Sequence, residues 1–250
     1  LVDNVLLIEG ITRAGKFLTG NILDGFEGVE HYQYIGLLEH IPFLVRLNFM
    51  DFNLAKAIIQ CQIDNNAYDS MVGRNLNFRH DDKSSIYNSP RFKEYVQRTL
   101  NEDGDVVVNS IKQQKSYFPY ILHEAFPNIM LYFDIYPECK VVRIDRDPID
   151  LVYSWHNLGW GRRWGQDLKD FSLSIEGNNG PVPWFAYGCL DEYEKADEMD
   201  KVIISIASIA EMGRETYNSL NDGQKKRIHM LTFENLVTNP DEEIKRLSAF

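Results

Sequence analysis

This chain has few cysteines and no excess of positive charge. The 250 residues include three cysteines, Cys61, Cys139 and Cys189, with no C-x-x-C pair. The sequence therefore indicates neither a zinc site nor a disulfide framework. The 26 Lys and Arg residues are outnumbered by 37 Asp and Glu residues, which gives a formal net charge of −11. Because nucleic-acid-binding proteins usually carry a basic excess or stripe, we expect any anionic ligand to meet a local basic pocket instead.

Long hydrophobic runs are also missing. The longest apolar stretches, such as VIISIASIA from Val202, are far shorter than the roughly 20 residues that span a bilayer. No transmembrane or secretory segment is predicted, and we expect a cytoplasmic protein. The chain begins without Met, directly before a predicted strand, and ends at Phe250 in a predicted helix. A domain cut from a longer protein, including the lumenal part of a membrane-anchored one, is compatible with that pattern.

The remaining composition, 44% hydrophobic and 25% charged residues, is typical of an ordinary globular domain. Apolar runs predict strands over residues 4–9, 118–122, 140–145 and 227–232. Helical periodicity and capping residues predict helices over residues 16–23, 32–67 with a break or kink at Pro42, 89–100, 106–117, 128–136, 147–155, 191–220, and from Asn239-Pro240 onward. Residues 69–90 and 159–184 are predicted to be irregular. Strands and helices that alternate in this way predict one α/β domain over residues 1–250, with a mainly parallel sheet flanked by helices.

The loop after the first predicted strand resembles a phosphate-binding loop. Gly10, Gly15 and Lys16 have the spacing of G-x-x-x-x-G-K-[ST], but Phe17 stands where a Ser or Thr hydroxyl would bind magnesium. Backbone N–H groups of such a loop, at the N-terminus of a helix, form an anion site that requires no metal. By itself this pattern is better explained by an ordinary tight turn between a strand and a helix.

A second motif lies at the junction between the strand over residues 140–145 and the helix that follows. Arg146 and Ser154 are eight residues apart, with Asp147-Pro148 and Asp150 between them. An Arg presents a fixed fork of donors to phosphate oxygens, and a Ser hydroxyl adds another. Both can meet one phosphate only through the bend of the loop, so the spacing matters more than the residue types.

Together with the closing segment LTFENLVTNPDEEIKRLSAF, residues 231–250, these motifs resemble the sulfotransferases that use 3′-phosphoadenosine 5′-phosphosulfate (PAPS). In that family the first loop binds the 5′-phosphosulfate, and an Arg and a Ser eight residues apart bind the 3′-phosphate. Arg146 and Ser154 match that pair. In the closing segment Phe233 and Asn235 replace the Tyr and Asp of the family's Y-E-D-L-x-x-x-P element. The resemblance covers nearly the full chain and implies a P-loop-like sulfotransferase fold.

The resemblance assigns the donor site residue by residue. Donor-binding positions are Arg13, Ala14, Gly15, Lys16, Phe17, Leu18, Arg146, Ser154 and Phe233. Arg13 aligns with the basic loop residue that bridges the leaving phosphate and the sulfuryl group. The loop lacks the family's hydroxyls, and Lys16 is expected to replace their hydrogen bonds by charge, whereas Phe17 has no polar role. We assign charge stabilisation during transfer to Arg13 and Lys16, and no metal site is predicted.

The base that accepts the acceptor's proton is sought just after the central strand. His123 and Glu124 follow the strand over residues 118–122, at the edge where ligands bind in open α/β sheets. The ordinary pKa of His suits proton transfer near neutrality, whereas a Glu would need its pKa raised by burial. The alternative for each residue is a packing or helix-capping role, and the sequence does not choose between the two as base.

Three further features are weaker candidates. Arg162 and Arg163, between Trp160 and Trp164, could bind an anionic or aromatic acceptor, although a solvated loop clamped by tryptophans is the preferred interpretation. Residues 74–83 form either an acceptor-binding lid or a plain surface loop. His156 is interpreted as a structural partner of the helix that carries Ser154.

The sequence therefore predicts a metal-independent transfer of a sulfuryl group from PAPS to a hydroxyl or amine. Glycans, lipids, phenols, steroids and peptides all remain possible acceptors. One rival hypothesis is a phosphate-loop kinase, which gains from Lys16 and is weakened by Phe17. A second is a non-catalytic descendant of the fold that only binds nucleotide, motivated by the missing loop hydroxyls around Gly15.

Overall fold

Five parallel strands form the central sheet of the computed structural model, which describes residues 2–101, 104–164, 167 and 172–250. The strand order is β2-β3-β1-β4-β7. Its strands are β1 (Val5–Gly10), β2 (Gln33–Tyr34), β3 (Phe118–His123), β4 (Lys140–Asp145) and β7 (Ile228–Thr232). A separate antiparallel pair consists of β5 (Ser174–Glu176) and β6 (Pro181–Pro183). The predicted α/β fold with a mainly parallel sheet is confirmed.

Helices cover both faces of this sheet. They are α1 (Lys16–Leu23), α2 (Gly36–Arg46), α3 (Phe52–Met71), α4 (Phe92–Arg98), α5 (Asp105–Gln114), α6 (Met130–Ile135), α7 (Pro148–Asn157), α8 (Trp160–Arg163), α9 (Leu190–Lys195), α10 (Glu198–Ser219), α11 (Asp222–Lys225), α12 (Phe233–Thr238) and α13 (Pro240–Ala249). Within the described ranges, none of these helices is both long and apolar enough to cross a membrane.

The central strand β1 is buried along its whole length, as its apolar sequence predicts. Leu7 packs into a core shared with α2, α3 and α5, whereas Leu6 and Ile8 face a second core shared with α1, α7 and α10. β1 pairs with β3 on one side and with β4 on the other, and Gly10 lies opposite His123. Strands that follow β1 in sequence therefore lie on both sides of it. The carboxyl end of such a strand is the place where ligands bind in open α/β sheets.

Pro42 does not break the helix in which it lies. The mainly helical region predicted over residues 32–67 is confirmed by α2 and α3. Of the break or kink predicted at Pro42, the break is wrong, because α2 continues through Pro42 to Arg46 and the interruption lies between Arg46 and Phe52. A proline lacks the N–H that would bond the carbonyl four residues earlier. That carbonyl, Leu38 O, instead accepts a hydrogen bond from the Tyr132 hydroxyl at 2.5 Å. The tertiary structure therefore supplies the donor that Pro42 removes.

Other predicted boundaries also shift. The single helix predicted over residues 191–220 is divided into α9 and α10, because the Asp197 side chain caps a new helix by accepting from the N–H groups of Met199 and Asp200. The helix predicted over residues 128–136 begins as a short 3-10 turn before α6. Of residues 159–184, predicted to be irregular, α8 and the β5–β6 pair are regular, and residues 165–166 and 168–171 lie outside the described part of the chain. Of residues 69–90, predicted to be irregular, the first three belong to the end of α3, and the rest is irregular apart from one 3-10 turn, Ile86–Asn88.

Candidate active site

The predicted site residues converge at the carboxyl edge of the sheet. The loop that follows β1 leads into α1, His123 is the last residue of β3, and Arg146 follows β4. Because these three strands are neighbours, residues that are more than a hundred positions apart in sequence meet at one edge.

The loop from Gly10 to Gly15 provides backbone donors. Gly15 is the N-cap of α1 with φ 112°, a left-handed conformation that favours glycine, and it has no side chain to cap the first-turn N–H groups. The first turn also contains no acidic residue. A Cβ on Gly15 would lie 2.6 Å from the ring of Phe233. The N-terminus of α1 is therefore available to an anion, and only glycine fits at its start.

Arg13, Arg146 and Ser154 form one cluster beside this loop. The Arg13 Nε donates to Ser154 Oγ at 3.1 Å, and Arg146 Nη1 donates to the carbonyl oxygen of Arg13 at 3.0 Å. The Arg146 guanidinium lies 4.6 Å from the centre of the Phe233 ring and also contacts Asp150. Arg146 Nε is buried and has no hydrogen-bond partner among the described residues. The predicted Arg–Ser pair is thus brought together, and its donors fit an anionic group.

Lys16 lies beneath the loop. Its Nζ is buried and donates to the carbonyl oxygen of Gly10 at 2.5 Å. Burial lowers the pKa of Lys16, while the nearby charges of Glu124 and Glu9 act in the opposite direction. In this arrangement the ammonium group closes the loop onto the end of β1 and adds positive charge from below.

His123 is held by a carboxylate that the sequence did not reveal. Glu39, in the first turn of α2, accepts hydrogen bonds from the backbone N–H of His123 and from its ring Nδ1, the latter at 2.5 Å. The Tyr34 hydroxyl also donates to Glu39, at 3.3 Å. Burial raises the pKa of Glu39 to about 7. Burial and the charge of Lys16 lower the pKa of His123 to about 3, well below its ordinary value, so the ring is neutral near pH 7.

Glu124 has a different position from its neighbour. Its backbone adopts φ 52°, and its Oε1 accepts from the N–H of Thr12 at 2.5 Å. The Trp155 Nε1 donates to the carbonyl oxygen of the same Thr12 at 2.8 Å. The backbone N–H and the backbone carbonyl of Thr12 are therefore both held by hydrogen bonds, the first to Glu124 at the end of β3 and the second to Trp155 on α7. Glu124 holds the donor loop in place, which distinguishes it from His123.

A cavity of about 320 Å³ opens next to these groups. The described residues that line it are Thr12, Phe17, Tyr34, Glu39, His40, His123, Glu124, Trp160, Trp164, Ser172 and Trp184. Sequence reasoning identified only part of this set. Glu39, Tyr34 and Trp184 come from segments whose sequence carries no catalytic signature.

The remaining predicted residues lie in or around this region. Ala14 is buried within the loop, and Leu18 is exposed on α1. Exposed Arg162 pairs with Glu198 at 3.0 Å, and the less exposed Arg163 pairs with Asp167 at 3.0 Å. Both arginines lie in the short helix α8, where a loop was predicted.

His156 lies in the last turn of α7. In the segment over residues 74–83, the Lys83 carbonyl accepts from the Tyr32 hydroxyl at 2.9 Å. Across the described ranges, no group of three or more His, Cys, Asp or Glu residues could hold a metal ion.

Comparisons with known proteins point to one family. The family model of the sulfotransferase domain matches residues 4–250. The fold resembles that of the sulfotransferase domain from the curacin biosynthetic pathway, with 11% identity and a TM-score of 0.50, covering 99% of this chain and 72% of that chain. The sulfotransferase domain from the Synechococcus PCC 7002 olefin synthase is 11% identical, with a TM-score of 0.46 and coverage of 98% and 72%.

A sulfotransferase from Alicyclobacillus acidocaldarius is 10% identical, with a TM-score of 0.41 and coverage of 100% and 80%. No significant match is found among curated proteins. Because the family model spans nearly the whole chain, the protein belongs to the sulfotransferase domain family and is a sulfotransferase.

Proposed function

We propose that this sulfotransferase uses PAPS as its donor and transfers the sulfuryl group to a hydroxyl or amine of a small-molecule acceptor. The observation that supports this most strongly is the cluster of Arg13, Arg146 and Ser154 beside the uncapped N-terminus of α1. A phosphorylated, sulfated nucleotide carries negative charge at two places. The cluster and the loop offer donors for both of these groups.

Charge stabilisation comes from groups already fixed in place. The first-turn N–H groups of α1 have no side-chain cap, the guanidinium of Arg13 is held beside Ser154, and buried Lys16 adds positive charge at the end of β1. Groups that are positioned before the reaction need no reorganisation when charge develops, which is the main source of such stabilisation. No step requires a Ser or Thr hydroxyl at position 17 to bind magnesium. The negative charge of the donor is instead balanced by the cationic side chains of the protein.

His123 is the base in this proposal. The Glu39 carboxylate holds Nδ1, so a neutral ring has Nε2 free to accept the proton of the acceptor hydroxyl as the new oxygen–sulfur bond forms. The carboxylate then stabilises the imidazolium, and the bond between sulfur and the leaving phosphate oxygen breaks. Glu124 is the weaker candidate, because its Oε1 is already engaged by the N–H of Thr12.

Calorimetry with 3′-phosphoadenosine 5′-phosphate (PAP), followed by transfer of labelled sulfate from PAPS, tests the proposal. We expect PAP to bind without added magnesium, and the Arg146→Ala variant to bind at least about tenfold more weakly, since a charge-assisted pair contributes roughly 1.5–3 kcal/mol. Arg162→Ala is the matched control, because Arg162 is an exposed arginine paired with Glu198 outside the cluster.

Each other outcome has a defined meaning. Absence of PAP binding by the wild-type protein would contradict the proposed donor. Nucleotide binding that depends on magnesium would favour the kinase hypothesis. PAP binding that depends on Arg146, without transfer to any acceptor, would favour a binding module.

A further inference from the structure

The ring of Phe17 lies between the donor loop and His123. Phe17 is the second residue of α1, and its ring centre is 6.3 Å from that of His123 and 6.1 Å from that of Tyr32. Its side chain lines the cavity beside the base. The position at which a phosphate loop would place a hydroxyl therefore contributes an apolar surface to the neighbouring site.

The rest of the cavity continues this surface with further aromatic rings. Tyr34 packs edge-on against His123 at 5.1 Å between ring centres, and Trp160, Trp164 and Trp184 form the other wall. Trp160 and Trp164 pack against each other at 5.4 Å. Their positions are fixed by the fully buried Trp155, whose ring contacts both. The aromatic wall is therefore built on α7, the helix that also carries Ser154.

Among the described residues that line the cavity, the charged groups are the carboxylates of Glu39 and Glu124, and no Lys or Arg is present. Both carboxylates are already used, by His123 and by the N–H of Thr12. An acceptor with its own negative charge would lose hydration without gaining a cationic partner, and burial of an unpaired charge is costly. A cationic tail would have to compete with His123 and with the N–H of Thr12 for these carboxylates.

We infer, on the basis of the proposed function, that Phe17 is a specificity-determining residue and that the acceptor is an uncharged alcohol or phenol carrying an aromatic or alicyclic ring. The volume of about 320 Å³ lies at the small end of ligand cavities, which typically measure roughly 300–1,000 Å³. This favours a small molecule over a polysaccharide chain. Stacking and burial against Phe17 and the three tryptophans supply the binding free energy, and His123 receives the proton.

Three phenols with the same reacting hydroxyl test the inference. Para-propylphenol is neutral, para-hydroxyphenylpropionate is anionic and tyramine is cationic, and the three have nearly equal size. We expect kcat/KM for para-propylphenol to exceed that for the anionic phenol by about tenfold or more, because a buried unpaired charge costs more than 1.4 kcal/mol. The Phe17→Thr variant should raise KM for para-propylphenol by about tenfold.

The Phe17→Leu variant is the matched control, because it keeps an apolar side chain and should retain most of the affinity for para-propylphenol. PAP binding separates the two proposals. Wild-type protein that fails to bind PAP contradicts the proposed donor. PAP binding combined with equal or better transfer to the anionic phenol, or with an unchanged KM in Phe17→Thr, would overturn the acceptor inference alone.

Discussion

The Glu39 carboxylate binds both the backbone N–H and the ring Nδ1 of His123, across 84 residues of sequence. The two contacts fix the end of β3 and the plane of the imidazole against the first turn of α2. They also leave Nε2 as the nitrogen that can accept a proton. Glu39 is therefore a positioning residue for the proposed base, in the manner in which a carboxylate orients a histidine in other active sites.

Replacing Glu39 by Gln is expected to change the pH dependence of the reaction. Burial raises the pKa of Glu39 to about 7, while the pKa of His123 is lowered to about 3. Glu39 therefore loses its proton as the pH rises through about 7, and its carboxylate can then stabilise the imidazolium of His123. We expect the wild-type kcat/KM to increase over the same pH range. Glu39→Gln should abolish this inflection and lower kcat roughly a hundredfold, the lower end of general-base effects. Tyr34→Phe, which removes one hydroxyl contact to Glu39, should keep the inflection. An inflection retained in Glu39→Gln would show that another group titrates.

Gly15→Ala should impair donor binding. Gly15 has φ 112°, where a side chain is strained by roughly 1–3 kcal/mol, and the new Cβ would lie 2.6 Å from the ring of Phe233. That ring stacks under Arg146, so its displacement also disturbs the guanidinium that we propose binds the 3′-phosphate. We expect the calorimetric Kd for PAP to rise about tenfold or more. Gly188→Ala is the control, because a Cβ there meets nothing within 4 Å. Equal PAP affinity in both variants would contradict this role of Gly15.

Glu9 makes the stability of the protein pH-dependent. Its carboxyl group is buried at the end of β1, Oε2 has no partner among the described residues, and burial raises its pKa from 4.5 to about 7. A raised pKa means that the folded state binds the proton more tightly, so stability is lost as pH rises from about 4.5 to about 7.

Between pH 5 and pH 8, wild-type protein should lose up to about 3 kcal/mol of unfolding free energy relative to Glu9→Gln, at 1.36 kcal/mol per pKa unit. Urea denaturation at the two pH values measures the difference. Glu242→Gln, on the exposed side of α13, controls for charge removal alone. Identical pH dependence in wild type and Glu9→Gln would contradict the assignment.

Tyr132→Phe should destabilise the fold through a carbonyl of α2. Leu38 O lacks its helical donor because of Pro42, and the Tyr132 hydroxyl replaces it. An unsatisfied buried carbonyl costs about 1–3 kcal/mol. In a Pro42→Ala background the N–H restored at position 42 can bond Leu38 O, so the same Tyr132→Phe change should cost less. Denaturant unfolding of all four proteins measures this coupling, and equal costs in both backgrounds would contradict it.

Features encoded within one short segment could be predicted from the sequence. The loop from Gly10 to Gly15 and the spacing of Arg146 and Ser154 each belong to a single strand–loop–helix junction, where the local backbone determines the geometry. The N-caps Asp147 and Asp197 also act at short range. The sequence does not reveal that Asp197 begins a new helix, because it lies within a long stretch of helical periodicity. Residues 191–220 have helical periodicity throughout, and periodicity alone does not reveal a change of axis.

The sequence by itself determined the α/β fold class, the glycine loop after β1 and the spacing of Arg146 and Ser154, because strand and helix periodicity and short-range spacing are local properties. Only the tertiary structure decided which carboxylate orients His123, which hydroxyl satisfies the carbonyl freed by Pro42, and what Phe17 contacts. Each of these depends on the order of strands in the sheet, which brings α2 and β3 together and places the first turn of α1 beside the base. Side chains from distant segments meet there, and no spacing between residues in the sequence predicts these contacts.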